Sequence, residues 1–214
     1  MVKQKKFPER KEQILKAAEH IFAKKGFHEA TISQIAKKAE VSDATIYEYF
    51  SNKEDLLFSI PGSETERGKE ELEHNLKYMR GASNKLRGFI YHQLMFYQNN
   101  PEWAAVVMLI LKQYRKYIST DAYQTIREWS QIITQIVEEG IDSGEFKPDT
   151  NPYLVRSVIL GTIEHAVIAH LLIGRYKDLL ELVDPLTDLV ISGIQKDKKL
   201  KDMNLRIVVD PIHE

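Results

Sequence analysis

The sequence has no cysteine. That excludes a disulfide framework, a thiolate zinc site and a cysteine nucleophile, and it says little about compartment. Excess charge is missing too. The formal net charge is −1, so any nucleic-acid contact must come from a local concentration of positive charge. No glycine-rich phosphate loop, nucleophile elbow or His-Glu-x-x-His run occurs, and the adjacent Glu164 and His165 diverge on a helix. The chain therefore reads as a non-enzyme, with no cofactor and no metal site expected. The basic start, MVKQKKFPERKEQ, has no apolar stretch behind it and is no secretory signal. The longest apolar region, around Val155 to Gly174, is interrupted by Arg156, Glu164, His165 and His170. Such groups are costly in lipid, so no membrane span is expected and the expected location is cytoplasmic.

Alternating apolar runs are scarce as well. Apolar residues instead recur at three- and four-residue spacing along nearly the whole chain, so an all-α fold follows. Breaks fall at Gly26, around Val41, at Asn52, at Pro61-Gly62, at Gly81, near Pro101, near Ser119, at Gly144 to Pro148 and at Gly174. They mark about nine helices. Helices before residue 60 read as short; those after it are long and rich in Leu, Ile, Val and aromatics. We divide the chain into a small N-terminal unit over 1–60, a larger helical body over 61–196 and a tail over 197–214. The tail ends in Leu205-Arg206-Ile207-Val208-Val209, either a short strand or an extended segment on the body.

The first fifty residues make a DNA-reading unit. A first helix buries Ile14, Ala18, Ile21 and Phe22. Gly26 reads as its left-handed C-terminal cap, with Phe27 folding back on Phe22. The second helix opens at Thr31-Ile32-Ser33-Gln34, a capping box, and turns Ile32, Ile35, Ala36 and Ala39 inward. After a tight turn at Glu40-Val41, Ser42 caps a third helix, Asp43 to Phe50, with Ile46 and Phe50 buried. This is a three-helix unit with a helix-turn-helix at its end. Thr45, Tyr49 and, at the edge, Tyr47 present hydroxyls suited to phosphates or base edges. Asn52 caps a fourth helix with Lys53 in its first turn, a natural phosphate clamp. By periodicity alone, any three short amphipathic helices fit equally well.

The stretch from Ile14 to Leu57, ILKAAEHIFAKKGFHEATISQIAKKAEVSDATIYEYFSNKEDLL, resembles the DNA-binding domain of the TetR family. Ala17, Ala18, Phe22, Gly26 and Phe27 match its Ala-Ala, Phe and Gly-Phe/Tyr positions. Thr31, Ile35 and Ala36 match its Thr-x-x-x-Ile-Ala. Val41, Ser42, Thr45, Ile46, Tyr47, Phe50, Lys53 and Leu56 match the run that follows. The resemblance implies a homodimer on a double-stranded DNA operator. It also implies backbone contacts from Thr31 and Ser33, recognition-helix positions for Ser42 and Thr45, and phosphate contacts from Tyr47, Tyr49 and Lys53. Two features depart from it. Glu40 stands where the family usually has Gly, which costs energy if φ is positive. Asp43 and Glu48 put carboxylates near the recognition face, where they repel phosphate or, for Glu48, accept from a cytosine amine. Lys3, Lys5, Lys6 and Arg10 read either as an arm along the DNA or as a solvated tail.

The body contains helices too apolar for one buried stripe. A plain helical core accounts for most of these residues. The family resemblance implies an effector pocket among them, lined in our reading by Tyr91, Phe96, Trp103, Met108, Tyr114, Trp129 and His165. In LILKQYRKY, Lys112, Arg115 and Lys116 sit beside an apolar run. They are either a solvated helix face or cations at the mouth of a tunnel for an amphipathic anion such as an acyl-CoA. The body loosely resembles the fatty-acid-degradation branch of the family, including EEGIDSGEFKPD and ILGTIEHAV. Two long helices, about Pro152 to Ile173 and Leu179 to Ile194, carry Gly161, Ala166, Ala169 and Gly193 for close approach and read as the dimer face, a four-helix bundle with the partner's copies. Pro61-Gly62 interrupts the helix leading from head to body, which reads as a hinge. The expected function is a transcriptional repressor released by a small apolar or amphipathic effector; the alternative is an architectural DNA-binding protein without one.

Overall fold

The computed structural model describes residues 3–196. The short strand or extended segment expected at Leu205 to Val209 lies outside the described residues. Among those described there are ten α-helical segments and no strand. The first four are α1 (Lys3–Glu29), α2 (Ile32–Lys38), α3 (Asp43–Tyr49) and α4 (Lys53–Ser59). They are followed by α5 (Pro61–Leu76), α6 (Ala82–Asn99), α7 (Pro101–Ala105), α8 (Asp121–Asp142), α9 (Pro152–Ile173) and α10 (Val183–Ile194). Ile60, between α4 and α5, keeps right-handed helical dihedrals (φ −59, ψ −45), so about nine helices is also a fair count.

The capping logic holds at the head. Thr31 Oγ1 accepts from Gln34 N at 3.2 Å, and Gln34 Oε1 accepts from Thr31 N at 3.4 Å. Ser42 Oγ accepts from Thr45 N at 3.1 Å and Asn52 Oδ1 from Asp55 N at 2.9 Å. Two details differ from expectation. The first helix is not short: α1 has 27 residues, and its backbone already includes Lys3, Lys5, Lys6 and Arg10, so that stretch is helical rather than an extended arm. Gly26 has φ 72 and ψ 174, so it bends α1 in a region closed to side chains with a Cβ instead of ending it as a left-handed cap. Phe27 still returns to Phe22, with ring centroids 5.7 Å apart.

The body packs α8 against α5, α6 and α9, and α10 against α6. The SGEF loop after α8 ties three helix ends together. Glu145 accepts from Ala82 N and Ser83 N at 2.7 and 2.9 Å, capping α6. Phe146 lies where a Cβ on Gly140 would meet its ring at 2.1 Å, so α8 must carry glycine there. Lys147 N donates to Ile194 O at 2.8 Å, fixing the end of α10. Burial works against the Glu145 charge, but the Ser83 hydroxyl and the two amides outweigh it and hold its carboxyl below the usual range.

Between α7 and α8 the chain departs from the α-helix expected there. Val106–Ile110 is a π-turn, and Leu111–Gln113 and Arg115–Ser119 are 3-10 turns. Tyr114 between them is extended. Such irregular turns recur at functional sites.

Candidate DNA interface and effector cavity

The helix-turn-helix is built from local bonds. Glu40 has φ 51, which is the left-handed position a glycine normally fills. Its N–H donates to Lys37 O, and Val41 N donates to Ala36 O at 3.0 Å. Together these are a Schellman closure of α2 made without glycine. Ser33 Oγ donates to Asp43 Oδ2 at 2.5 Å, clasping α2 to α3. The acidic Asp43 thus has a structural partner beside the DNA face.

Thr31, Ser33, Ser42 and Tyr47 are exposed, while Thr45 and Tyr49 are half-buried. Tyr47 is the most open aromatic of α3, at 56%. Ser42 and Thr45 hydroxyls lie 2.9 Å apart. Lys53 is more enclosed than a phosphate clamp requires. Its Nζ donates to Phe27 O at 2.8 Å and Ala30 O at 2.9 Å, and it sits 4.4 Å from the centre of the Phe27 ring. It holds the end of α1 against the start of α2. Lys37 and Lys38, exposed in the last turn of α2, are cations that the sequence reading passed over; a basic last turn was the available signal.

In the body, α6, α7 with its π-turn, α8 and α9 enclose a cavity of about 140 Å³. From α6 come Phe89, Gln93 and Tyr97, an i, i+4, i+8 stripe; from α7 and the turns after it come Trp103, Val107, Met108 and Lys112. Ile126, Trp129 and Ser130 of α8 and Leu160, Ile163 and Glu164 of α9 close it. Three of the expected residues, Trp103, Met108 and Trp129, are in this wall. Phe96 is just behind it, its ring 5.0 Å from that of Trp103 and 5.2 Å from that of Trp129.

The other three are elsewhere. Tyr91 is exposed in a shallow surface groove with Met79, Arg87 and Val183, because α6 turns the Phe89 stripe inward instead. Tyr114 packs its ring 5.4 Å from Phe27 and 5.8 Å from Phe58, joining body to head. His165 is exposed because its neighbour Glu164 is the residue α9 turns inward. His165 shares an outward stripe with Leu154, Val158, Gly161 and Leu172, all exposed.

Of the three cations flagged in the sequence, Lys112 pairs with Glu164 at the cavity wall. Lys116 reaches across to Glu54 of α4 at 3.2 Å, and Arg115 is exposed. Tyr97 has its phenol pKa pushed up by burial, with Gln93 opposing, and stays neutral. His92 lies beside Trp129, ring centroids 5.9 Å apart, with its pKa lowered by burial.

The Pro61-Gly62 break proves subtler than an interruption. Proline has no N–H for the next helical bond, and Ile60 N donates to Leu57 O at 3.2 Å instead. Thr65 Oγ1 donates to Pro61 O at 2.5 Å. The hydrogen-bond ladder stops while the backbone stays helical.

This arrangement of a capped helix-turn-helix on a helical body with a cavity has close counterparts. Residues 14–60 match the model described as bacterial regulatory proteins, tetR family, and residues 66–193 match the YsiA-like protein, C-terminal region. The chain belongs to the TetR family. It is 33% identical to the fatty acid metabolism regulator protein of Bacillus subtilis over 182 residues, 85% of this chain and 94% of that one. Among solved structures it is similar to FadR of Bacillus subtilis in complex with stearoyl-CoA. That match has 34% identity and TM-score 0.76, and covers 86% of this chain and 99% of that one. It is also similar to the fatty acid degradation regulator FadR of Bacillus halodurans, with 28% identity and TM-score 0.79, over 86% and 95% of the two chains. TetR-family regulators bind operator DNA and act as dimers, and these relatives are transcriptional regulators rather than enzymes. By length and composition α9 is apolar enough to cross a membrane, and Leu154, Val158 and Leu172 on its outward stripe are exposed.

Proposed function

We propose that this chain is a repressor that leaves a palindromic operator when an acyl-CoA, or a similar amphipathic acyl thioester, enters the body. The observation that carries this reading is the cavity: an apolar chamber with aromatic walls and one cation, Lys112, held in reserve by Glu164. An anionic head group would compete for Lys112, and an apolar chain would occupy the interior. The stearoyl-CoA bound to the similar Bacillus subtilis regulator supports this class of ligand. At about 140 Å³ the cavity is below the roughly 300–1,000 Å³ of ligand pockets, so the ligand must open it. The π and 3-10 turns of Val106–Ser119 are the pliable part of the wall.

That same segment carries Tyr114 between Phe27 and Phe58, and Lys116 on Glu54. Opening the wall therefore moves groups that touch the head. We divide the chain accordingly into a DNA-binding unit over 1–60, an effector and dimer unit over 61–196 and the tail over 197–214. The unit over 1–60 swings at Pro61-Gly62, where α5 has a broken ladder and nothing crowds Gly62. The dimer pairs α9 and α10 with their copies, and its two recognition helices reach half-sites about 34 Å apart. On the operator, Thr31, Ser33, Tyr47 and Tyr49 contact backbone, Ser42 and Thr45 sit at the base edges, and Lys53 keeps one N–H for phosphate while bracing the turn. The protein acts in the cytoplasm.

Footprinting on the DNA upstream of the chain's own coding region tests this. A protected palindrome that palmitoyl-CoA clears is the expected result. A palindrome that stays protected at saturating palmitoyl-CoA would set the acyl-thioester reading aside and leave effector-independent binding.

A further inference from the structure

We propose that the cavity selects ligands carrying a carbonyl oxygen, which accepts from the indole N–H groups of Trp103 and Trp129. The proposal rests on the acyl-thioester reading above and names what part of such a ligand the wall recognises.

Both indoles belong to the cavity wall and are 2% and 4% exposed. Neither Nε1 has a hydrogen-bond partner, and neither is open to a water molecule from solvent or from the closed cavity, so a ligand reaches them only as it opens the wall. An indole nitrogen only donates, so it has no other way to be satisfied. Leaving it bare in the interior is costly, and a native core rarely tolerates two such donors on one cavity.

The remaining polar groups of the wall are already engaged. Gln93 interacts with the Tyr97 phenol, Ser130 Oγ donates to Arg127 O at 2.6 Å, and Lys112 pairs with Glu164. The two indoles also flank the same ring. Each stands edge-on to Phe96, at interplanar angles of 85° and 73°. A carbonyl oxygen has two lone pairs and accepts two donors. A plain alkyl chain would fill the space and leave both donors unpaired. A site built to bond a polar group rejects the analogue that lacks it far more strongly than it rejects a change in chain size.

The experiment compares palmitoyl-CoA with S-hexadecyl-CoA by calorimetry on the full-length protein. The thioether keeps the chain, the charge and the nucleotide, and loses only the carbonyl. The thioester should bind about 10-fold more tightly or better. The chain has only two tryptophans. Global replacement of tryptophan by β-(3-benzothienyl)alanine therefore alters these two positions alone, exchanging each N–H for sulfur at nearly the same shape. In that protein the preference should fall to about onefold. Equal affinity of the natural protein for both ligands overturns the proposal while leaving the acyl-CoA reading in place, and would point to N–H groups spent on the Phe96 ring face. A preference that survives the replacement overturns the indole assignment. Failure of both ligands to bind removes the acyl-thioester reading and this proposal with it.

Discussion

His20 Nδ1 lies 2.7 Å from Glu102 Oε1, which ties the long helix of the DNA head to the short helix that carries Trp103. Glu102 and Trp103 are consecutive, so the contact to the head and the wall of the cavity sit on one turn of α7. The pair is partly exposed, with side chains 25% and 44% open to solvent, and contributes little to stability. Its weight lies in coupling. Glu102→Gln is expected to leave the unfolding free energy within about 1 kcal/mol of the parent. It should shift the effector concentration that half-releases DNA by about 3- to 10-fold. Paired denaturation and DNA-release titrations read both; an unchanged release midpoint removes this contact from the route.

Lys112 and Glu164 give opposite expectations. Lys112→Met removes the cation and should weaken binding of palmitoyl-CoA by about 10-fold at low salt, with a flatter salt dependence. Glu164→Gln removes the competitor for Lys112 and should tighten binding. Calorimetry at two ionic strengths separates this from a solvated-face role, in which both variants bind as the parent does.

Glu40 holds a left-handed conformation at φ 51. Replacement by glycine relieves roughly 1–2 kcal/mol of backbone strain and adds back up to about 1 kcal/mol of unfolded-chain entropy. Glu40→Gly should therefore stabilise the protein by up to about 2 kcal/mol, and urea unfolding measures it. The Schellman bonds of α2 remain, so operator affinity should stay within about twofold.

His92 supplies a pH dependence with a definite sign. Burial lowers its native pKa below the ordinary 6.5, with Glu71 opposing weakly from 4.0 Å. The unfolded chain therefore takes up a proton near pH 6.5 that the native protein refuses. Stability contributed by the neutral ring is complete above that pH and declines as pH falls toward the native pKa. Unfolding free energies measured from pH 7.5 to 5 should slope downward on acidification, and His92→Phe should flatten that slope. An identical slope in the variant would assign it to other groups.

What the sequence made legible follows from range. Caps are local: Thr31 with Gln34, Ser42 with Thr45 and Asn52 with Asp55 each close within three residues, so residue type and spacing suffice. The left-handed site at Glu40 was signalled instead by the family resemblance, which puts glycine there. The cavity was not, because facing depends on how whole helices roll against one another. Aromatic character drew attention to Tyr91 and His165, yet α6 and α9 present the neighbouring stripes of Phe89 and Glu164. Gln93 and Glu164, polar residues within apolar helices, were the better signal. Tyr114 escaped because the helix gives way to 3-10 turns on either side of it and Tyr114 itself is extended. Lys53 was legible as a cation at a helix start; that its ammonium turns back to Phe27 O and Ala30 O depends on where α1 ends.

Reciprocity tests the central claim most directly. If one ligand in the body drives the head off its operator, operator DNA must weaken that ligand by the same factor. The measurement is the affinity of the full-length dimer for palmitoyl-CoA, alone and saturated with its operator duplex. The account predicts weaker binding to the DNA-bound dimer, matching the factor by which palmitoyl-CoA weakens DNA binding and lying at about 5- to 150-fold. Equal affinity in the two states would contradict it.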